Sequence, residues 1–415
     1  MIQWWRSFCI LLILTKLTST EYNKTVVRGC ITVRTVDLFC GCGGLSLGFQ
    51  NCGYKIIGAF DFWQPAIDCY NANFNHRAHI LDLSKKNTSL KTIRQLNPEI
   101  IIGGPPCQDF SSAGERKEGA RANLTVSFAK IVKSLKPQYF VMENVSQVRS
   151  STAYKEARAL FKAAGYGLTE QVLDASRCGV PQKRKRFFCV GALKAQDNFL
   201  DSYLGTNQSV FPLTMRKYFT DNQYELTFDY YYRHPRTYSR RAIFSVDEPA
   251  PTIRGVNRPK PPEYKPHSND AAPPNGIDSL TSRQRALLQT FPLNFKFNES
   301  QMISDQLIGN AVPVNLAAHV ARALLCFDHK IEIECSMSFS GWLQSTHQYS
   351  VRAAKDVVSR LNRCNKIVQI NRYSFNEYLT VLEDNENFKK LSKSIRSQLK
   401  RALNLYDEYN KRPRQ

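Results

Sequence analysis

The chain has 415 residues, of which 42% are hydrophobic and 22% are charged. These proportions fit a globular protein of roughly two to three domains and exclude wholesale disorder. Lysine and arginine number 57 against 35 for aspartate and glutamate, so the formal net charge is +22. An excess of this size favours a polyanionic partner, with nucleic acid first and an anionic membrane second.

The 12 cysteines do not have the spacing of a zinc site or of a small disulfide-rich protein. A chain of this length has no need of a disulfide framework, so we expect reduced thiols and no metal. Residues 1–30 form an N-terminal extension in which Arg6 precedes an apolar run at 8–14. That run imitates a secretory signal but is far too short to span a bilayer. We expect a cytoplasmic, nucleoid-associated protein without stable membrane association, and a secreted binding module is the alternative that this segment supports.

From residue 31 onwards, short apolar runs alternate with amphipathic stretches. This alternation predicts an α/β fold with a doubly wound, mostly parallel, Rossmann-like sheet. In such sheets ligands bind beyond the carboxyl ends of the strands, so functional residues are expected directly after them. The predicted strands are 32–39, 55–60, 99–102, 138–142, 169–173 and 187–190, and helical patterns include 126–135, 280–288 and 312–325.

The composition divides the chain into five parts. Residues 31–194 form the α/β domain, and residues 195–279 form an inserted irregular domain rich in Tyr, Arg, Pro and Asn. Residues 280–329 return to the first domain, and residues 330–415 form a basic, helical C-terminal extension. The N-terminal segment 1–30 is the fifth part. The extension could be a clamp on a polyanion, a layer on the first domain or a surface for another subunit.

A glycine-rich turn follows the first predicted strand, where residues 37–44 read DLFCGCGG. Glycine lets the backbone approach a ligand closely, and amides at a helix start face that ligand. A tight packing turn is the alternative. Asp61, at the end of the second strand, can accept from both hydroxyls of a ribose. Phe62 offers a flat face for an adenine and Asp82 an acceptor for its amino group, so the ordered set predicts a nucleoside pocket.

The strongest local signal is the segment 102–111, which reads IGGPPCQDFS. It follows an apolar strand, and two prolines make a rigid turn that holds Cys107 at the ligand edge of the sheet. A thiolate nucleophile needs such a turn, whereas the alternative, a buried structural cysteine, does not.

Three further polar residues are expected at the same edge. Glu143 ends the fourth predicted strand, where a carboxyl group can bind or protonate a ring nitrogen of a base. Arg184 and Arg186 precede the strand 187–190, and residues two apart on an extended segment point the same way. The alternatives are a helix-capping glutamate and a solvated basic run.

Together these motifs resemble those of the DNA (cytosine-5) methyltransferases, and the resemblance covers about residues 31–327. The cofactor motif at 37–44 is followed in order by PPCQ at 105–108, ENV at 143–145, QKRKR at 182–186 and QLIGNAVP at 306–313. The resemblance implies a covalent mechanism on a cytosine flipped out of the duplex, with S-adenosylmethionine as methyl donor. In that mechanism Cys107 adds to C6, Glu143 binds N3, Arg186 binds O2, and Arg184 orients a loop or a phosphate.

The resemblance also assigns the pocket. The implied cofactor-binding residues are Phe39, Gly41, Gly43, Gly44, Asp61, Phe62, Asp82, Pro106, Leu124, Asn310 and Val312. Asp61 replaces the commoner glutamate, which shortens its reach to the ribose by one methylene.

Residues 195–279 take the place of the family's target-recognition domain. Their side chains suit contacts to base edges and phosphates, and the candidates are Arg233, Arg236, Thr252, Arg254 and Asn257. The layout resembles that of bacterial modification enzymes that protect a restriction site. The implied partners are double-stranded DNA and a genetically linked restriction endonuclease that need not bind, and a monomer is expected.

Two alternatives share this fold. One is a transfer-RNA cytosine-5 methyltransferase, whose branch usually carries a Cys-Phe-Thr tripeptide that this sequence lacks. The other is a catalytically inactive DNA-binding relative, against which the intact Cys107, Glu143 and Arg186 argue.

Overall fold

The computed structural model describes residues 33–106, 123–206, 208–237, 239–330, 339–370 and 374–411. The N-terminal segment 1–30 and Cys107 lie outside the described residues. The described residues form two compact units. The first comprises those within Met1–Asp201 and Pro212–Leu325, and the second those within Ser202–Phe211 and Cys326–Gln415.

The first unit is built on a seven-stranded sheet with the order β3-β2-β1-β4-β5-β8-β6. Its strands are β1 (Arg34–Leu38), β2 (Lys55–Asp61), β3 (Ala78–Ile80), β4 (Ile100–Gly103), β5 (Tyr139–Val145), β6 (Tyr166–Asp174) and β8 (Lys185–Leu193). Strands β3, β2, β1, β4 and β5 pair in parallel, whereas β8 runs antiparallel to both β5 and β6. The predicted mostly parallel α/β architecture is therefore confirmed.

All six strands predicted from the sequence are present, with shifted ends. The seventh, β3, was missed because it has only three residues and two of them are exposed, so it shows no apolar run. The antiparallel direction of β8 was also not foreseen, because a strand's apolar pattern does not encode the direction of its neighbours.

The helices of the first unit lie between and after these strands. They are α1 (Gly44–Gln50), α2 (Gln64–Asn71), α3 (Lys86–Gln95), α4 (Asn123–Leu135), α5 (Thr152–Ala163), α7 (Met215–Asp221), α8 (Ser282–Leu288), α9 (Gln301–Asn310) and α10 (Val314–Asp328). The last three residues of α10 belong to the second unit. A short helix α6 (Asp201–Thr206) begins at the last residue before the second unit. The buried faces of β1, β4 and β5 pack with α4 and α5 in one apolar cluster.

Residues 212–279 belong to the first compact unit. They contain two short strands that pair with each other, β9 (Tyr230–Tyr232) and β10 (Ile243–Ser245). A third, β11 (Ala250–Pro251), pairs in parallel with β7 (Gln182–Lys183), which directly precedes β8. Side chains of this segment share one apolar cluster with α2 and with residues 286–314. The irregular segment is therefore anchored to the short strand that directly precedes Arg184.

The second unit is helical over most of its described length. Its helices are α11 (Phe339–Ser345), α12 (Val351–Ile367), α13 (Phe375–Asp384), α14 (Glu386–Lys389) and α15 (Lys393–Lys411). Trp342, Leu361, Tyr378 and Leu403 are at most 3% exposed and lie in one apolar cluster. The unit therefore has a core of its own.

One stretch of the described chain, Gln301–Asp328, has the length and composition of a membrane span, with a mean hydropathy of 1.2. It contains α9 and α10, and 72% of its most apolar window is buried inside the protein. Core helices pass the same test, so this stretch is weak evidence for a membrane.

Candidate active site

The loop after β1 has an unusual backbone. Phe39, Gly41 and Gly43 have φ angles of 61°, 54° and 94°, which lie in the left-handed region. A Cβ atom on Gly43 would fall 2.4 Å from the Phe74 ring, and one on Gly44 would fall 2.2 Å from the carbonyl oxygen of Val312. These two glycines allow close packing of the protein on itself. Gly41 instead borders open space, because no described residue beyond its chain neighbours has a heavy atom within 4 Å of the same position.

Asp61 is fixed beside this loop. One carboxylate oxygen accepts from the Gly41 amide and the other from the Trp63 amide, both at 2.9 Å. Each oxygen keeps a second lone pair, so the carboxylate is oriented and can still accept from a hydroxyl. Phe62, next to it, has a side chain of which 72% is exposed. A fixed acceptor next to an open aromatic ring fits the ribose and adenine of a nucleoside.

The remaining pocket candidates are only partly brought together. The carbonyl oxygen of Val312 packs against Gly44. Asn310 is the last residue of α9 and is exposed. Pro106 and Leu124 are half-buried at the two ends of the segment that the structure does not describe. Asp82 accepts from the amide of Ser84 at 3.0 Å and from its hydroxyl at 2.5 Å, and these bonds lower the pKa of its carboxyl group.

A buried polar chain behind the loop was missed by the sequence reasoning. The Ser46 hydroxyl donates to Asp37 at 2.6 Å, the Tyr70 hydroxyl donates to Ser46 at 2.8 Å, and Tyr70 is 2.7 Å from Nε2 of His76. Burial raises the pKa of Asp37 to about 7, with the negative charge of Asp61 adding to the effect. The available signal was a charged residue inside an apolar strand that is immediately followed by glycines.

The carboxyl group of Asp37 makes the stability of the fold depend on pH. Because the pKa of Asp37 rises from 3.8 in the unfolded chain to about 7 in the fold, the folded state holds the extra proton between these values. The free energy of unfolding therefore falls as the pH rises through this window, by about 4 kcal/mol in all. We expect Asp37→Asn to remove this slope in denaturant titrations between pH 4 and 7, and Asp82→Asn to keep it. An unchanged slope in Asp37→Asn would contradict the assignment.

Glu143 and Arg186 form an ion pair at the carboxyl edge of the sheet. Antiparallel pairing sets Val145 opposite Arg186, and Nε of the arginine lies 3.1 Å from Oε1 of Glu143. The two side chains are 10% and 15% exposed. Burial raises the pKa of Glu143 although Arg186 opposes the shift, and burial lowers the pKa of Arg186. The pair thus presents a carboxyl group that holds a proton more readily than usual beside a cation.

The turn that leads to Cys107 is tied to this pair. The Asn144 side chain donates to the carbonyl oxygen of Pro105 at 3.0 Å. A Cβ atom on Gly104 would lie 3.3 Å from Oε2 of Glu143, so only a small residue leaves the carboxyl group undisturbed. Gly104, Pro105 and Glu143 therefore come together as predicted, and Cys107 follows two residues after Pro105.

Arg184 does not point towards Glu143 as Arg186 does, and it is more deeply buried. It is 2% exposed and donates to the carbonyl oxygens of Ile253 at 2.9 Å, Gly309 at 3.0 Å and Ala311 at 3.0 Å. A guanidinium group so enclosed cannot reach a phosphate, which corrects that part of the sequence interpretation. Arg184 instead links the irregular segment, at Ile253, to the end of α9 and the loop after it, at Gly309 and Ala311.

Two glutamines complete this junction. Gln182 opens the QKRKR motif, but no role was predicted for it, and Gln289 belongs to no motif that was predicted from the sequence. The Gln182 side chain accepts from the Ile253 amide at 2.8 Å and donates to Gln289 at 2.8 Å. Gln289 in turn donates to the carbonyl oxygen of Ile308 at 2.6 Å. Both glutamines are fully buried, so backbone groups of three segments are satisfied inside one core.

Most of the recognition candidates make contacts within the protein. Arg233 donates to the carbonyl oxygen of Thr252 at 2.8 Å. The Thr252 hydroxyl donates to the carbonyl oxygen of Lys183 at 2.8 Å. The Asn257 side chain donates to the carbonyl oxygen of Leu280 at 3.0 Å. Burial lowers the pKa of Arg233 to about 10. Arg254 donates to the carbonyl oxygen of His234, and Arg236 is exposed.

The comparison with known proteins agrees with this geometry. The model of the C-5 cytosine-specific DNA methylases matches residues 33–326. The type II methyltransferase M.HgiDI of Herpetosiphon aurantiacus is 51% identical over 296 residues, which cover 71% of this chain and 95% of that protein. M.HindV of Haemophilus influenzae is 48% identical over 302 residues, which cover 71% and 97%.

Solved structures support the fold. The Dnmt2 methyltransferase of S. pombe superposes with a TM-score of 0.55 at 18% identity, covering 71% of this chain and 98% of that one. A putative DNA modification methyltransferase from a prophage of E. coli gives 0.51 at 22% identity, covering 71% and 99%. With the family model spanning the sheet, the loop after β1 and the Glu143–Arg186 pair, this chain belongs to the C-5 cytosine-specific DNA methylase family.

Proposed function

We propose that this chain transfers the methyl group of S-adenosylmethionine to C5 of a cytosine in a specific sequence of double-stranded DNA. The observation that carries the proposal is the buried pair of Glu143 and Arg186, 3.1 Å apart, beside the proline turn that leads to Cys107. Activation of a pyrimidine ring requires a nucleophile, a carboxyl group that can share a proton with the ring, and a cation, all at one edge of a sheet.

The target base must leave the helical stack before it can react. Inside a duplex the C6 atom of cytosine is covered by its neighbours, so the enzyme extrudes the nucleotide into the site. The Cys107 thiolate then adds to C6, and the electron pair of the C5–C6 bond becomes available at C5. C5 would then take the methyl group, and the electron pair of the broken S–C bond would stay on the sulfur of the donor. A base removes the proton from C5, the C5–C6 double bond re-forms, and the C6–S bond breaks to release the thiolate.

Glu143 and Arg186 stabilise the charge that this addition creates. Negative charge develops over N3 and O2 of the ring when sulfur bonds to C6. Because burial raises the pKa of Glu143, its carboxyl group takes up a proton more readily than an exposed glutamate and can share that proton with N3. Arg186 donates to O2, where a fixed cation lowers the barrier most in a site shielded from water.

The loop after β1 fits the cofactor. Asp61 would hold the ribose hydroxyls, Phe62 the adenine face, and Phe39 the cationic end of the molecule. The open space beside Gly41 leaves room for the ligand next to the Asp61 carboxylate. S-adenosylmethionine supplies an electrophilic methyl group on a sulfonium. The residues of the chain bind and orient it.

The irregular segment 195–279 is the proposed target-recognition region, inserted between the catalytic parts 31–194 and 280–329. The type II relatives support a role in protecting host DNA from a linked restriction endonuclease in the cytoplasm. Since most of the polar candidates in this segment bond to the protein itself, Arg236 and the surrounding exposed residues are the first to test for base or phosphate contacts.

Incubation with labelled S-adenosylmethionine and duplex DNA of varied sequence tests the proposal. We expect label at C5 of cytosine in one sequence context, and bisulfite sequencing of DNA from expressing cells reports that context. Transfer RNA serves as the control substrate and should remain unlabelled. Label in transfer RNA but not in DNA, or no label at all, would overturn the proposal.

A further inference from the structure

The second compact unit carries a row of basic side chains on one helix. One face of α12 is buried, with Ala354, Val357, Leu361 and Cys364 at most 3% exposed. At 3.6 residues per turn, Arg352, Lys355, Arg363 and Lys366 fall within roughly 80° on the opposite face. All four are exposed. The ion pairs between described residues of this unit use His347, Lys389, Lys400 and Lys411 as their basic partners, and none of the four residues on this face. We call these four residues the basic stripe.

Charges in this unit are separated by sign. Residues 351–367 contain five basic residues and one acidic residue, whereas residues 375–389 contain four acidic residues and one basic residue. Solvated helix faces usually intersperse both signs, which supports the helix by local pairing. The one acidic residue of α12, Asp356, is exposed at the edge of this face, so the face keeps a surplus of positive charge that a partner of opposite charge would neutralise.

The surroundings of the basic stripe discriminate between possible partners. A helix that lies on a bilayer inserts an apolar face, but the apolar face of α12 is buried in the core of its own unit. A protein interface is centred on large apolar or aromatic anchors, and Val351, which is 57% exposed, is the single exposed large hydrophobic residue in the described part of this unit. A phosphate backbone needs neither feature.

The dimensions fit a nucleic acid. From Arg352 to Lys366 the helix rises about 21 Å, because each residue adds about 1.5 Å. Duplex DNA carries one negative charge per about 1.7 Å of its axis, so several phosphates lie within that length. Lysine and arginine bind phosphate without reading bases.

We propose that the basic stripe is an additional binding site for the phosphate backbone of duplex DNA, independent of sequence. The inference rests on duplex DNA being the substrate. It goes beyond the family, because the family model ends at residue 326 and α12 lies after it. The site adds affinity for DNA around the target, while the first unit selects the sequence and transfers the methyl group.

The test is the quadruple variant R352Q/K355Q/R363Q/K366Q in the full chain. The matched control K91Q/K130Q/K133Q/K155Q removes the same charge from exposed lysines of α3, α4 and α5. Binding to a 60-base-pair duplex containing one target sequence is measured from about 50 to 300 mM salt, and thermal unfolding checks that both variants fold. Each lost phosphate contact reduces the slope of log K against log salt by about 0.9.

We expect the slope to fall by about 3 in the stripe variant, with affinity at least tenfold weaker near 0.1 M salt, and by less than about 1 in the control. The turnover number at saturating DNA should stay unchanged in both. The inference is overturned if the two variants show equal slopes of log K against log salt. It is also overturned if the stripe variant binds DNA like the wild-type chain but no longer binds phosphatidylserine vesicles that the wild-type chain binds. Absence of methyl transfer by the wild-type chain would instead refute the proposed function.

Discussion

Cys107→Ala is expected to lower the rate of methyl transfer at least ~10³-fold, because removal of a nucleophile eliminates the covalent route. Binding of duplex DNA should change little, since the phosphate contacts that supply most of the affinity lie elsewhere. The rate is measured with labelled S-adenosylmethionine under single-turnover conditions, and binding is measured by titration of a fluorescent duplex. A duplex with 5-fluorocytosine at the target should trap a covalent complex with the wild-type chain and none with the variant.

Cys52→Ser is the matched control. The Cys52 thiol is 4% exposed and donates to the carbonyl oxygen of Ala318 at 3.4 Å, a contact that a serine hydroxyl can keep. This variant should methylate at the wild-type rate. If Cys107→Ala still methylates, or if Cys52→Ser loses activity equally, the nucleophile is assigned wrongly.

The sequence predicted the sheet and its ligand edge because both depend on local patterns. Apolar runs such as 99–102 and 138–142 have few ways to be buried other than as central strands, and they are the cores of β4 and β5. Glu143 and the proline turn follow directly from where those strands end. The position of a functional residue relative to a strand end is thus largely encoded in the chain itself.

The roles of Arg184 and Arg186 could not be separated in the same way. Alternation of side chains holds along a continuous strand, but the extended structure is interrupted at Arg184, between β7 and β8. The direction of Arg184 is set by three carbonyl groups from residues 253, 309 and 311, which are distant in sequence. Similarly, Arg233 and Asn257 donate to backbone carbonyl groups of the protein, at Thr252 and Leu280. These contacts could not be predicted, because the chain around them is irregular and shows no hydrophobic periodicity.

The second large effect is expected from Arg184→Met. This substitution keeps the apolar stem and leaves the buried carbonyl oxygens of Ile253 and Gly309 without the donor that Arg184 supplies. The carbonyl oxygen of Ala311 loses one of its two donors and keeps the Gln289 side chain at 3.2 Å. A buried polar group left without a partner costs about 1–3 kcal/mol, so the free energy of unfolding should fall by about 2–5 kcal/mol. Denaturant titration of the first unit's transition measures the loss, and Arg184→Lys should recover part of it by donating to one or two of the carbonyl groups.

Arg186→Gln should behave in the opposite way. Its guanidinium group makes one ion pair with Glu143 and one bond to the carbonyl oxygen of Lys185, so the fold depends on it less. We expect the methylation rate to fall ~10²- to 10³-fold, since a charged donor to the reacting base is lost. The unfolding transition should change less than in Arg184→Met, because burial raises the pKa of Glu143 and its carboxyl group can take up a proton when the arginine is gone. A stable Arg184→Met variant with normal unfolding and abolished methylation would contradict this division, because Arg184 would then act on the substrate itself.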